Sequence, residues 1–201
     1  MANTIAVIQT KGGTGKTTTA MMLAFALASM GNRVVVLDSD KQRSAADWFD
    51  DAGGDIGFDV RSVPTDRTLN TALSQYDDYD YVLVDTPPGS NSIVEVASRA
   101  ADLVLIPTGV SPLDMKRTQA TLDSFEGSNI PVAVVLVNVD KREKLLDLAE
   151  ENLSANSRAA LADTIIPTRA ATRGAGGTIP RITTKPFQEW VDLAEELKEA
   201  F

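Results

Sequence analysis

Lys11 and Lys16 bracket a glycine-rich run, Lys11-Gly12-Gly13-Thr14-Gly15-Lys16-Thr17-Thr18, set between the apolar stretch Ile5–Ile8 and a helical pattern from Ala20 to Met30. Residues of these types in this order suit phosphate chemistry. A strand that ends in a glycine loop and feeds a helix aims successive backbone N–H groups, and the positive end of the helix, at one spot. Lys16 adds a point charge for the β- and γ-phosphates of a nucleotide, and Thr17 a hydroxyl for Mg²⁺. The run departs from the usual G-x-x-x-x-G-K-[ST] pattern. Thr10 stands where the first glycine would fall, and Lys11 is an extra cation five positions before Lys16.

Carboxylates with matching chemistry follow two other apolar runs. Asp85 closes Tyr81–Val84 and precedes Thr86-Pro87-Pro88-Gly89, the form of a Walker B carboxylate that holds Mg²⁺ through its waters. A strand-end aspartate capping a helix is the plainer reading of the same residue. Asp38 and Asp40 flank Ser39 after Val34–Leu37, where one of them would orient an attacking water. The chain has no histidine and no cysteine, which excludes imidazole catalysis, disulfides, cysteine-bound zinc and an ordinary iron–sulfur cluster. Carboxylates, lysines, hydroxyls and a hard cation with oxygen ligands remain.

Those residues need a frame that ends several strands at one rim. The apolar runs Ile5–Ile8, Val34–Leu37, Tyr81–Val84, Leu103–Ile106 and Val132–Val137 alternate with helical patterns, and Phe58–Val63 and Thr164–Ile166 are weaker strand candidates. This alternation predicts an α/β fold, a doubly wound and mostly parallel sheet with helices on both faces, in a single domain over residues 1–201. Runs such as VVVL and VAVVLV have no polar face, as strands covered on both sides require. Ligands in such sheets bind beyond the carboxyl ends of the strands. Gln9-Thr10-Lys11, Asp38-Ser39-Asp40, Asp85, Pro107-Thr108 and Asn138 all occupy such ends.

Net charge is −9, which argues against adhesion of the whole molecule to DNA or to an anionic membrane. The distribution is uneven. No acidic residue lies between Thr164 and Gln188, a stretch that holds Arg169, Arg173, Arg181 and Lys185. These are candidate contacts to DNA phosphates, and equally a solvated segment or arginines that serve the nucleotide. Residues from Pro186 to Phe201 read as an amphipathic helix with Trp190, Leu193, Ala194, Leu197 and Phe201 on one side. Its polar side is mostly acidic, which disfavours a membrane anchor. No run is apolar enough to span a bilayer and the first residues lack a signal-peptide pattern, so a cytoplasmic location is expected.

Taken together, KGGTGKTT, VVVLDSDKQ, YVLVDTPPG and ADLVLIPTGVSPLDM resemble the corresponding segments of the ParA/MinD family of deviant Walker A ATPases, most of all the short, ParF-type partition ATPases. The likeness is strong from Thr4 to Asn138 and loose beyond. It implies a P-loop NTPase fold and Mg²⁺-dependent hydrolysis of ATP to ADP and phosphate. It also implies an ATP-dependent sandwich homodimer, nonspecific DNA as the surface bound, a nucleoid-associated location, and a ParB-like adaptor as activator. The cargo would be a plasmid, a chromosome region or another assembly.

By the same resemblance the catalytic residues are Lys11, Lys16 and Asp40, with Lys11 the signature lysine that reaches the partner's nucleotide. Gly12, Gly13, Thr14, Gly15, Thr17 and Thr18 complete the phosphate cradle. Thr17, Asp38, Asp40 and Asp85 form the metal shell. Asn138 and Pro167 to Arg169 flank the adenine, although Asn138 also reads as a strand-end turn residue. Lys41 stands where the family has proline, which implies a changed loop. Two alternatives share these features: a MinD-like positioning ATPase, and a biosynthetic enzyme of the dethiobiotin synthetase or cobyrinate amidation type. The second leaves Lys11 unexplained. With the loop beginning at residue 11, no helix-turn-helix is expected ahead of it.

Overall fold

Runs with no polar face can be buried only between two layers of helices, and that is where they lie. The computed structural model describes residues 2–201. The chain alternates β1 (Asn3–Val7), α1 (Lys16–Ser29), β2 (Val34–Asp38), α2 (Ser44–Asp51), β3 (Asp59–Ser62), α3 (Asp66–Leu73), β4 (Tyr81–Asp85) and α4 (Asn91–Ala100). It continues through β5 (Leu103–Thr108), α5 (Pro112–Asp123), β6 (Val132–Val139), α6 (Lys144–Ser154), β7 (Ala160–Leu161), β8 (Ile166–Pro167), α7 (Ala170–Arg173) and α8 (Gln188–Lys198).

The strands form one sheet in the order β3-β2-β4-β1-β5-β6-β7, with β8 also paired to β6. Every pairing is parallel. Two cores result, one on each face. On one side α1, α2 and α8 cover alternate strand residues such as Ile5, Val36, Leu83 and Leu105. On the other, α3 to α6 cover Ala6, Leu37, Val84 and Ile106. Helix α1 is apolar all round, and Ala20 to Leu27 are buried between the sheet, α2 and α8.

The expected strands are present with slightly different ends. Thr108 and Asn138 fall inside β5 and β6 rather than after them. Strand β7 had no counterpart in the sequence reading. The last helix starts at Gln188 after a 3₁₀ turn over Lys185–Phe187. Trp190, Leu193, Ala194 and Leu197 are buried as the pattern required. Phe201 is not: it lies beyond the helix and is exposed, with its ring edge-on to Tyr81. The acidic face of α8 has structural work, since Glu196 accepts the amides of Asp163 and Thr164 at 2.7 and 3.0 Å. Among the described residues no helix is long and apolar enough to cross a membrane.

Leu83 sits at the centre of β4 and is fully buried. Truncation there opens a cavity between two rigid layers. Leu83→Ala should therefore lower the unfolding free energy by about 2–5 kcal/mol, measured by urea denaturation. A loss below about 1 kcal/mol would mean that this core is not tightly packed.

Candidate functional site

Strand β1 ends one residue before Ile8, and the chain then turns through the glycine loop into α1. Gly13 and Gly15 adopt φ of +75° and +86°, a left-handed backbone that L side chains rarely take, so the sharp turn needs glycine at both places. Gly15 caps α1 without a side-chain bond, and the first turn of α1 carries no acidic residue. The helix N-terminus is left to meet an anion.

The loop forms one wall of a cavity of about 890 Å³. All of Lys11 to Thr18 line it, together with Asp40, Gln42, Asn138, Pro167, Arg169 and Arg173. The size lies within the range of nucleotide and cofactor sites. Lys16 is buried at its floor, where burial lowers its pKa while Asp85 and Asp40 raise it. Asp85 is 1% exposed, and neither of its carboxylate oxygens has a hydrogen-bond partner among the described residues. Burial pushes its carboxyl up to about 7; Thr17 and Lys16 pull the other way, and Asp38 and Asp40 add to the rise.

An unpartnered buried carboxylate beside a threonine hydroxyl fits a hydrated divalent cation. Thr17 and Asp85 have the oxygen donors that such a cation takes. Asp38, expected in that shell, is engaged by backbone amides. Its oxygens accept the amide of Asp40 at 3.1 Å and those of Ala45 and Ala46 at 3.0 and 2.9 Å. They are turned toward the start of α2, and no cluster of three carboxylates able to hold a metal occurs among the described residues. Burial raises the Asp38 carboxyl, against the pull of those amides. Asp40 lies on the cavity wall and accepts the Gln42 amide on one oxygen at 2.9 Å.

Lys11 stands at the rim. Its ammonium is 2.7 Å from Asp114, which with Ser111 forms the capping box of α5. Burial raises the Asp114 carboxyl, but the bonds from Lys11 and Ser111 outweigh that and hold it below its ordinary value. A buried network runs behind the loop. Gln9 accepts the Thr10 amide and the Thr121 hydroxyl at 2.9 and 2.8 Å, and donates to Thr118 at 3.2 Å. Thr118 donates in turn to Thr108 at 2.8 Å. From the sequence, Gln9 is a strand-end residue with no stated partner, and Asp114 does not stand out. The spacing Ser111-x-x-Asp114 ahead of a helix was the available signal for the second.

Asn138 occupies a bulge inside β6 at φ +56°, a conformation that asparagine tolerates better than most residues, and it lines the cavity wall. Arg169 is ion-paired with Glu189 and borders the cavity with Arg173. Arg181 and Lys185 are exposed elsewhere. The four basic candidates therefore do not form a single free patch.

A family model described as the CobQ/CobB/MinD/ParA nucleotide binding domain matches residues 5–177. Maintenance of carboxysome distribution protein A from Gloeobacter kilaueensis is 42% identical over 140 residues, 69% of this chain and 64% of that protein. The chain spans 59–64% of the length of this and two further relatives. In structure, a putative plasmid partition protein from Borrelia burgdorferi B31 bound to AMPPNP superposes with a TM-score of 0.84 over 100% of both chains, at 19% identity. The pNOB8 ParA bound to nonspecific DNA gives 0.76 over 100% of this chain and 98% of that one, at 20% identity.

The position of Asp85 makes the nucleotide-free chain sensitive to pH. Its folded-state pKa, about 7, lies above the ordinary 3.8, so between these values the folded chain holds a proton that the unfolded chain has lost. Stability from this group is greatest at the acid end and falls as pH rises toward the folded value. Asp85→Asn removes the effect. The melting temperature of the variant minus that of the wild type should rise between pH 4 and 7 and level off above. A difference constant from pH 5 to pH 8 would contradict this assignment.

Proposed function

The chain belongs to the CobQ/CobB/MinD/ParA nucleotide-binding domain family, and from that premise we propose that it is a positioning ATPase of the ParA type. In this reading it hydrolyses ATP to ADP and phosphate with Mg²⁺, pairs with a second copy when ATP is bound, and binds DNA without sequence preference. The observation that carries the reading is the glycine loop on the cavity wall, at an uncapped helix N-terminus, with the buried Lys16 beside it and, behind the lining, a buried Asp85 without a hydrogen-bond partner whose charge acts on Lys16.

Phosphoryl transfer to water depends on positioning and charge more than on covalent chemistry. The amides of Gly12 to Thr18 and the Lys16 ammonium bind and orient the β- and γ-phosphates. Bound through Thr17 and Asp85, Mg²⁺ would supply the remaining charge neutralisation. Asp40 keeps one oxygen on the Gln42 amide, leaving the other for a water near the γ-phosphate. Asn138 and the Pro167–Arg169 segment border the place for the base.

Lys11 favours this function over a biosynthetic enzyme on the same fold. A cavity-lining cation whose ammonium is turned to Asp114 of α5 suits a site completed by a second copy. The adaptor that stimulates hydrolysis would be a ParB-like protein, and the location cytoplasmic and nucleoid-associated. The cargo is a plasmid, a chromosome region or a protein assembly; the likeness to a protein for carboxysome distribution keeps the last in view.

Gel filtration with ATP under non-hydrolysing conditions should show a dimer that Lys11→Ala abolishes, while Asp40→Ala keeps the dimer and lowers turnover by about 10²-fold or more. A Lys11→Ala dimer of unchanged strength would sink the shared-site reading. DNA affinity of the ATP-bound wild type should fall with a log–log salt slope of about −0.9 per phosphate neutralised. No binding to duplex at low salt would remove DNA from the proposal.

A further inference from the structure

Trp48 lines the cavity, yet its polar atom is committed elsewhere. The indole N–H donates to the carbonyl of Thr178 at 2.8 Å, across 130 positions of sequence. Trp48 belongs to α2, the helix that follows the Asp40 loop and whose first amides Asp38 holds. The ring is buried and packs against Phe25 of α1 with centroids 6.3 Å apart.

Thr178 lies in the turn after α7, and its amide and hydroxyl both donate to the Ala175 carbonyl, at 3.0 and 2.7 Å. That closes the turn and leaves the Thr178 carbonyl facing α2. A second attachment lies one residue earlier. Gly177 has φ +71°, and a Cβ there would come within 3.2 Å of the Asp51 Cβ, so the turn lies directly against the end of α2. Ala175, Ile182 and Phe187 are buried in the same core as Trp48. Arg173, Arg181 and Lys185 are exposed among them. The basic residues thus ride on a strip with buried anchors and two contacts to α2.

We propose that Trp48 is a positioning residue that fixes the basic strip 173–185 to α2, so that the state of the Asp40 loop sets the strip's competence for duplex DNA. This rests on the reading of the chain as an ATPase that binds DNA through that strip. Helix α2 spans only Ser44–Asp51, so a displacement at Ser44 reaches Trp48 about one turn later. Hydrogen bonds weaken steeply with misalignment, so the turn must follow the helix or release it. Either response links the nucleotide cavity to the outer surface.

The test is the ratio of duplex-DNA dissociation constants with ADP and with AMPPNP, at fixed low salt, for the wild type, Trp48→Phe and Gly177→Ala. Dimer fraction is followed by sedimentation in the same samples, and ratios are compared at equal dimer fraction. Trp48→Phe keeps a ring and loses the donor; Gly177→Ala pushes the turn off Asp51. Both should lower the ratio by roughly fivefold or more. No duplex binding by the wild type in either nucleotide state overturns the DNA reading and the tie together, whereas a wild-type ratio near one, or a wild-type ratio kept in both variants, overturns the tie alone. Trp190→Phe leaves Trp48 as the sole tryptophan, since the chain has two. Its emission should differ between ADP and AMPPNP, and identical spectra would also overturn the tie.

Discussion

Parallel pairing in register leaves the central strands no freedom in where they end. Asp85 on β4 is opposite Val7 on β1 and opposite Asp38 on β2, so the last residues of three strands share one level. The residues just beyond are then tied sideways. Ser39 donates both its amide and its hydroxyl to the Asp85 carbonyl at 3.0 and 2.6 Å, Thr86 donates to the Val7 carbonyl at 2.8 Å, and the Ile8 amide donates to Leu105 at 2.9 Å. The glycine loop, the Asp40 loop and Asp85 come from distant parts of the sequence, and this ladder brings them to one place. A slip of one residue in β4 would move Asp85 by about 3.3 Å and turn its side chain to the opposite face.

Such a frame holds groups that by themselves oppose folding. Lys16 and Asp85 are both buried, and burial works against the charged form of each. Arg43 and Asn138, the two non-glycine residues with positive φ among those described, cap α2 and border the cavity. Strain and uncompensated charge of this kind persist only where the surroundings over-determine them. Here the surroundings are two cores whose strand residues are almost entirely inaccessible. On the proposed reading, a cation and phosphates at this site would relieve what the empty chain must tolerate, so the residues that oppose folding there would favour the ligand.

Much of this was legible because it depends on local pattern. VVVL and VAVVLV can only be strands covered on both sides, and the glycine loop can only be a turn into a helix. Strand β7 escaped because two residues, Ala160 and Leu161, carry no periodicity. Partners distant in sequence escaped as well: Asp114 lies 103 positions from Lys11, and Thr178 lies 130 from Trp48. Neither contact has a local signature. Asp38 was visible as a strand-end carboxylate, but its purpose depends on which way its oxygens turn. That is set by the amides of Ala45 and Ala46, which exist as donors only once α2 has formed.

Counting charges along the sequence also gave more cations than the surface offers. Arg169 is paired with Glu189, and Arg169 and Arg173 both border the cavity, so of the four basic residues between Thr164 and Gln188 one copy leaves only Arg181 and Lys185 clear of both. On a chain of net charge −9, that number supports only a weak, salt-sensitive attachment. Two copies held together would double the contacts while their linkage makes the second engagement intramolecular, and affinity then rises far more than twofold. If the chain binds DNA as proposed, an acidic protein with a sparse basic strip would hold a DNA surface only when paired and leave it when the pair comes apart. In such a design the nucleotide need not create the binding surface. It has only to govern how many strips are presented, and how each is held.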